Sequence, residues 1–289
     1  MADQQKQTVQ WFPGHMAKTR RMIEENLKLI DVVVEILDAR IPFSGRNTNF
    51  DDIIKSKPRL ILMNKFDLAD KDVTNQWIRH FENQGIKVIP ISCSTGYGVN
   101  KVISEAKAVI SDRIQKDKEK GLTRSLKLMM VGIPNVGKST LINRLAGKAS
   151  TITGDRPGVT RGKQWIRLKD GVELLDTPGI LPPKFEDEQV AKNLAYTGAI
   201  KDNIINIELL SYSLLEYLRD NYPTELMSRY KLDSIDGMEG YEILEYIGKK
   251  RGFVISGGEI DTERAANMLM DELRAAKIGN ITLEKVKEE

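Results

Sequence analysis

The chain has 289 residues, enough for two domains with cores of their own. Hydrophobic residues make up 40% and charged residues 29%, a soluble globular balance that excludes a disordered chain. No apolar run reaches membrane-spanning length, the N-terminal stretch lacks the apolar core of a signal peptide, and the single cysteine, Cys93, cannot form an internal disulfide, so a cytoplasmic protein without a membrane partner is expected.

The formal net charge of +3 hides an asymmetry: residues 200–289 carry a net of −6 and residues 1–199 a net of +9. An anionic polymer would be drawn mainly to the N-terminal part, unless the basic residues only cover a solvated surface.

In chain order, residues 18–30 have the pattern of a basic amphipathic helix. Residues 31–37 form an apolar, β-branched strand, and 59–63 a second one. Residues 73–84 place Trp77, Ile78 and Phe81 at helical spacing. A strand over 87–91 and a helix over 101–118 follow, and the charged run near Gly121 reads as a linker. Residues 126–131 form a strand that runs into a glycine-rich turn, with a helix over 139–146 behind it. Residues 163–168 and 172–175 form a hairpin. Beyond Pro183 the strand signal stops, and helices are expected over 209–221, 224–230, 240–250 and 262–276. The expected fold is α/β: a doubly wound, mostly parallel six-stranded sheet over residues 1–183, with an all-α domain over 184–289.

Two motifs carry chemistry. Gly132-Ile133-Pro134-Asn135-Val136-Gly137-Lys138-Ser139 is a P-loop between a strand and a helix, with Thr140 next in the helix. Its backbone N–H groups and helix N-terminus can cradle phosphates, Lys138 can reach the β and γ phosphates, and Ser139 can ligate Mg²⁺. Asn64-Lys65-Phe66-Asp67 is a guanine-reading motif. A carboxylate at Asp67 accepts from guanine N1–H and the exocyclic amino group, and adenine offers neither. Asn64 bonds the base edge and ties the loop down, and the stem of Lys65 can lie on the purine face. Ser92, Cys93 and Ser94 follow the next strand, where a backbone amide can meet the guanine carbonyl. Cys93 is read as a small buried residue rather than a nucleophile.

Asp176-Thr177-Pro178-Gly179 ends the hairpin. Asp176 is placed to hold Mg²⁺ through water, and the Gly179 amide to bond the γ-phosphate. Between the P-loop and this motif lies a Gly/Pro-rich loop. In it Thr160 is the candidate switch threonine on Mg²⁺, with Thr151 and Thr153 as rivals.

The guanine motif precedes the P-loop, so the parts stand in rotated order. That order resembles the circularly permuted GTPases. Trp11-Phe12-Pro13-Gly14-His15-Met16-Ala17-Lys18, the run Asp38-Ala39-Arg40-Ile41-Pro42 and the helical C-terminal part resemble the YlqF/RbgA ribosome-assembly GTPases of bacteria. The resemblance implies GTP as substrate, GDP as product, and a precursor of the large (50S) ribosomal subunit and its rRNA as partner. It also implies an RNA-binding C-terminal domain. A monomer is expected, with no DNA partner.

Ile180 stands where many GTPases carry a glutamine that orients water. His15 is therefore the candidate catalytic group, as a neutral imidazole in a short Pro-Gly segment ahead of the first helix; the alternative is an RNA contact. Asn135 is a candidate to face the α and β phosphates and bind K⁺; the alternative is a hydrogen bond within the loop. Lys18, Arg20, Arg21 and Lys28, with Arg156, Arg161 and Lys163, are candidate RNA-phosphate contacts.

Overall fold

The computed structural model describes residues 13–46, 48–147, 164–179, 181, 187–200 and 206–286. Six strands form one sheet in the order β3-β2-β1-β4-β6-β5. They are β1 (Val32–Asp38), β2 (Arg59–Asn64), β3 (Lys87–Pro90), β4 (Leu126–Gly132), β5 (Gln164–Arg167) and β6 (Val172–Asp176). All neighbours are parallel except β5 and β6, so the expected hairpin and mostly parallel sheet are both present. Every residue of β1 is buried, as a parallel strand covered on both faces requires.

Three helices of the N-terminal part differ from expectation. The first, α1 (Pro13–Leu27), begins earlier than residue 18 because Pro13 is preset for the first helical position. His15 therefore lies in the first turn of α1, not in a segment ahead of it, and its side chain lies outside the described residues. A short α2 (Thr48–Ile54) was not anticipated; seven residues are too few for a helical period to stand out. The expected helix over 101–118 is two, α4 (Val102–Val109) and α5 (Ser111–Glu119), broken at Ile110, which leaves the helical region at φ −121° and ψ 28° and is buried. Between α2 and α4, α3 (Lys71–Asn83) starts where the Asp70 carboxylate caps the Asp72 and Val73 N–H groups.

The sheet is buried on both sides, the doubly wound arrangement. On one face Val33, Met129 and Leu175 pack on Ile23 and Leu27 of α1, while Leu37, Ile61 and Met63 pack on Trp77 and Phe81 of α3. On the other face Val34, Ile36, Leu62, Leu128 and Met130 join a core with α4 and with α6 (Lys138–Ala146). That core continues into the C-terminal helices through Leu194, Leu214, Leu244 and Leu269. Those helices are α7 (Glu188–Tyr196), α8 (Ile207–Asn221), α9 (Pro223–Tyr230), α10 (Gly240–Arg251) and α11 (Thr262–Arg274). The last four follow the expected ranges within a few residues; α7 is an addition. The expected boundary at residue 183 lies outside the described residues.

After α11 the chain returns to the sheet as an irregular strap over 278–286, which the sequence did not suggest. Its hydrogen bonds join it to the loops at the carboxyl ends of β1 and β2: Leu283 N–H donates to Arg40 O at 2.8 Å and Ile281 N–H to Leu68 O at 3.3 Å. Trp77 Nε1 donates to Glu284 O at 3.0 Å.

Candidate nucleotide site

The sheet order reverses between β1 and β4, and the crevice beyond the carboxyl ends of strands at such a point is the usual ligand site of this architecture. Asn64 ends β2, Asp38 ends β1, the P-loop leaves β4, and Ser92 follows β3. The rotated order therefore brings motifs far apart in sequence to one edge.

Asn64 joins three of them. Its Nδ2 donates to Val136 O of the P-loop at 2.6 Å, and its Oδ1 accepts from Cys93 N–H at 2.9 Å. Its own backbone carbonyl accepts from Ala39 N–H at 2.8 Å. Gly137 sits at φ 106°, and a Cβ there would strike Asn64 Nδ2. Gly137→Ala is therefore expected to displace the guanine loop as well as the P-loop. Nucleotide affinity should fall at least roughly tenfold, readable by titration with a fluorescent GDP analogue.

Lys138, Ser139 and Thr140 occupy the first turn of α6, where N–H groups have no helical acceptor and face an incoming anion. Lys138 is buried, and its ammonium donates to Gly132 O at 3.1 Å and Ile133 O at 3.2 Å. Burial lowers its pKa to about 8, against the pull of Asp176. Asp176 ends β6 beside β4, paired in register with Met130. The hydroxyl of Thr177 ties that turn to Met130 O at 2.6 Å. Gly179 presses on the P-loop at Pro134, leaving no room for a side chain. Thr160 and Ile180 lie outside the described residues, as do Thr151, Thr153, Arg156, Arg161 and Lys163.

On the base side, Asp67 Oδ2 accepts from Ser94 Oγ at 3.1 Å, while Oδ1 is buried with no partner among the described residues. Lys65 has φ 61°, and its ammonium lies 2.8 Å from Asp38 Oδ2. Burial would raise the Asp38 pKa, but Arg40 and Lys65 outweigh it and hold the carboxyl well below the usual range. The Arg40 guanidinium binds Asp38 through Nε at 2.9 Å and Nη2 at 2.8 Å. Sequence reasoning placed Asp38 and Arg40 only by resemblance; their role as a brace for Lys65 needs the β1–β2 register. Cys93 is buried and its pKa is pushed up to about 12 by burial, which suits a packing residue and not a nucleophile.

Asn135, at φ 58°, turns its Nδ2 to Gly198 O beyond α7, at 2.8 Å. Its amide nitrogen is thus committed to the C-terminal helices, a partner 63 positions away that no local signal marks.

A family described as "50S ribosome-binding GTPase" matches residues 127–223. Ribosome biogenesis GTPase A of Bacillus licheniformis is 49% identical over 278 residues, covering 96% of this chain and 98% of that protein. The protein of the same name from Thermotoga maritima is 34% identical over 277 residues, covering 95% and 94%. A GDP-bound YlqF structure superposes with a TM-score of 0.67 at 29% identity, covering 93% of this chain and 100% of that one. Similarity of that extent, on a P-loop GTPase fold, places the chain in the ribosome biogenesis GTPase A family, as a GTP-hydrolysing enzyme of ribosome biogenesis.

Proposed function

We propose that the chain binds GTP with its base on Asp67 and its phosphates in the P-loop, hydrolyses it to GDP and phosphate, and acts in late assembly of the large (50S) ribosomal subunit in the cytoplasm. The observation that carries the base assignment is the buried Asp67 Oδ1, without a partner among the described residues, beside a second carboxylate oxygen already set by Ser94. Guanine supplies the two donors such a carboxylate needs. Asn64, Lys65, Ser92, Cys93 and Ser94 shape the base pocket. Asn135, Val136, Gly137, Lys138, Ser139, Thr140 and Gly179 take the phosphates.

Ser139 and Asp176 supply the hydroxyl and carboxylate oxygens that suit Mg²⁺, and Thr160 completes the set. When bound, that ion neutralises charge on the β and γ phosphates. Lys138 turns from the P-loop carbonyls to the phosphate oxygens. Water attacks the γ-phosphorus, the bond to the β–γ bridging oxygen breaks, and GDP leaves with that oxygen. His15 orients the water, because the side chain of the isoleucine after Gly179 has no polar atom to do so. His15→Ala is expected to lower particle-stimulated turnover by about 10²-fold with GTP affinity unchanged; equal turnover in both proteins removes His15 from the mechanism.

The carbonyl oxygen of Asn135 is the proposed ligand for K⁺. Its nitrogen donates to Gly198 O, and its oxygen is the acceptor left to meet a cation. Equal turnover in K⁺ and Na⁺ at matched ionic strength would reject this.

The partner is the large-subunit precursor and its rRNA, met by the monomer through residues 184–289 and the basic face of α1. In the helical region Arg229 and Arg251 pair with Glu272, and Lys250 with Asp233, so RNA phosphates compete with those carboxylates. A second reading, a nucleotide-gated RNA-binding scaffold with little hydrolysis, is favoured by Ile180. GTP turnover with and without large-subunit precursors separates them: stimulation supports the enzyme, and none supports the scaffold.

A further inference from the structure

The loop over 92–97 has an almost closed set of backbone hydrogen bonds. Ser92 N–H donates to Tyr97 O at 2.9 Å, Gly96 N–H to Ser92 O at 2.8 Å, and Thr95 N–H to Ser92 Oγ at 3.1 Å. Tyr97 N–H donates to Thr95 Oγ1 at 3.3 Å, and Cys93 N–H to Asn64 Oδ1 at 2.9 Å. Among the described residues, that leaves the Ser94 N–H as the one backbone donor of the loop without an acceptor.

The carbonyls of the same segment have an unusual partner. Arg144, in the last turn of α6, donates through Nε to Cys93 O and through Nη2 to Ser94 O. Gly96, at φ 93°, lies against this guanidinium, and a Cβ there would press on Arg144 Nη1. Across a trans peptide the C=O and N–H point in opposite directions. A Cys93 carbonyl held by Arg144 therefore turns the Ser94 N–H away from α6. The next peptide obeys the same rule: Ser94 O faces Arg144 and Thr95 N–H faces Ser92 Oγ. The Ser94 side chain meanwhile bonds the Asp67 carboxylate, so this donor sits beside the group assigned to the guanine N1–H edge.

We infer that Arg144 is a positioning residue for guanine specificity: by gripping the Cys93 and Ser94 carbonyls, it aims the Ser94 N–H at the carbonyl oxygen on carbon six of guanine. The inference rests on the base assignment proposed above and deepens it. It also makes the helix that starts at the phosphates a determinant of which base is accepted. A planar fork suits two adjacent carbonyls, and an ammonium does not reproduce it.

The test compares GDP with 6-thioguanosine diphosphate, which keeps N1–H and the amino group but carries sulfur, a weaker acceptor, in place of the oxygen on carbon six. Both are titrated against the full chain, against Arg144→Met and against Arg144→Lys. The expected result is a roughly tenfold loss of GDP affinity in Arg144→Met with a clearly smaller loss for the 6-thio ligand, and an intermediate loss in Arg144→Lys. Equal losses for both ligands, or none for either, overturn the inference. If Arg144→Met does not fold, the same comparison is made on Arg144→Lys alone. Asp67→Ala separates the two levels of the proposal: unchanged GDP affinity there refutes the base assignment itself, whatever Arg144 does.

Discussion

Asp67→Ala is expected to weaken GTP binding by roughly 10²–10⁴-fold, the loss of two charge-assisted hydrogen bonds at about 1.5–3 kcal/mol each. The carboxylate is prepared for this role before any base arrives. One oxygen is set by Ser94 Oγ, and the other is buried without a partner among the described residues. Competition between fluorescent GDP and unlabelled GTP or ATP measures the effect, and retained GTP affinity would exclude Asp67 as the base reader. Asp67→Asn sharpens the test, because it exchanges one acceptor for a donor. Xanthine carries a carbonyl where guanine carries its amino group, so this variant should favour xanthosine over guanosine nucleotides. A variant that binds neither, yet melts like the parent, would point to a pocket read by other groups.

Removing residues 278–289 is expected to abolish cooperative folding at 37 °C. The strap buries Ile278, Ile281 and Leu283. At about 1.5–3 kcal/mol for each such side chain, its loss is comparable with the whole stability of a typical domain, about 5–15 kcal/mol. Glu284 is its polar anchor. Its carboxylate accepts from Phe43 N–H at 2.6 Å, Ser44 N–H at 2.9 Å, Asn193 Nδ2 at 2.9 Å and the Ser44 hydroxyl. It thus joins the loop after β1, helix α7 and the strap. Glu284→Ala leaves those donors unmatched and should cost about 2–4 kcal/mol, measured by urea unfolding. A truncated chain that melts like the parent would show that the strap is dispensable.

The same anchor predicts a pH dependence. Burial pushes the Glu284 carboxyl above its ordinary 4.5, against the pull of its hydrogen bonds from Ser44, Asn193 and Phe43. A raised carboxyl holds its proton better in the folded chain than in the unfolded one. Its share of stability is full below 4.5 and is lost as the pH climbs through the raised value. The stability of the parent minus that of Glu284→Gln should therefore fall as pH rises from about 4.5, then level off. A difference that is flat or rises across that range would mean the folded chain holds Glu284 ionised.

The sequence by itself determined the strands, most of the helices and both nucleotide motifs. These are contiguous by physical necessity. A phosphate cradle is made of successive N–H groups at one helix start, and a strand covered on both faces is an unbroken apolar run. Helices α1 and α3 begin ahead of their apolar pattern, because Pro13 and the Asp70 cap set the start. What only the tertiary structure decided is how the motifs are braced. Arg144 grips a carbonyl 51 positions away, Asn135 one 63 positions away, and Glu284 a loop 240 positions away. No local pattern marks these contacts. Each forms only when the order β3-β2-β1-β4-β6-β5 brings both partners to the same edge of the sheet. The chain names its ligand through short runs of backbone, and it fixes that ligand's specificity through long-range contacts that exist only once the sheet is assembled.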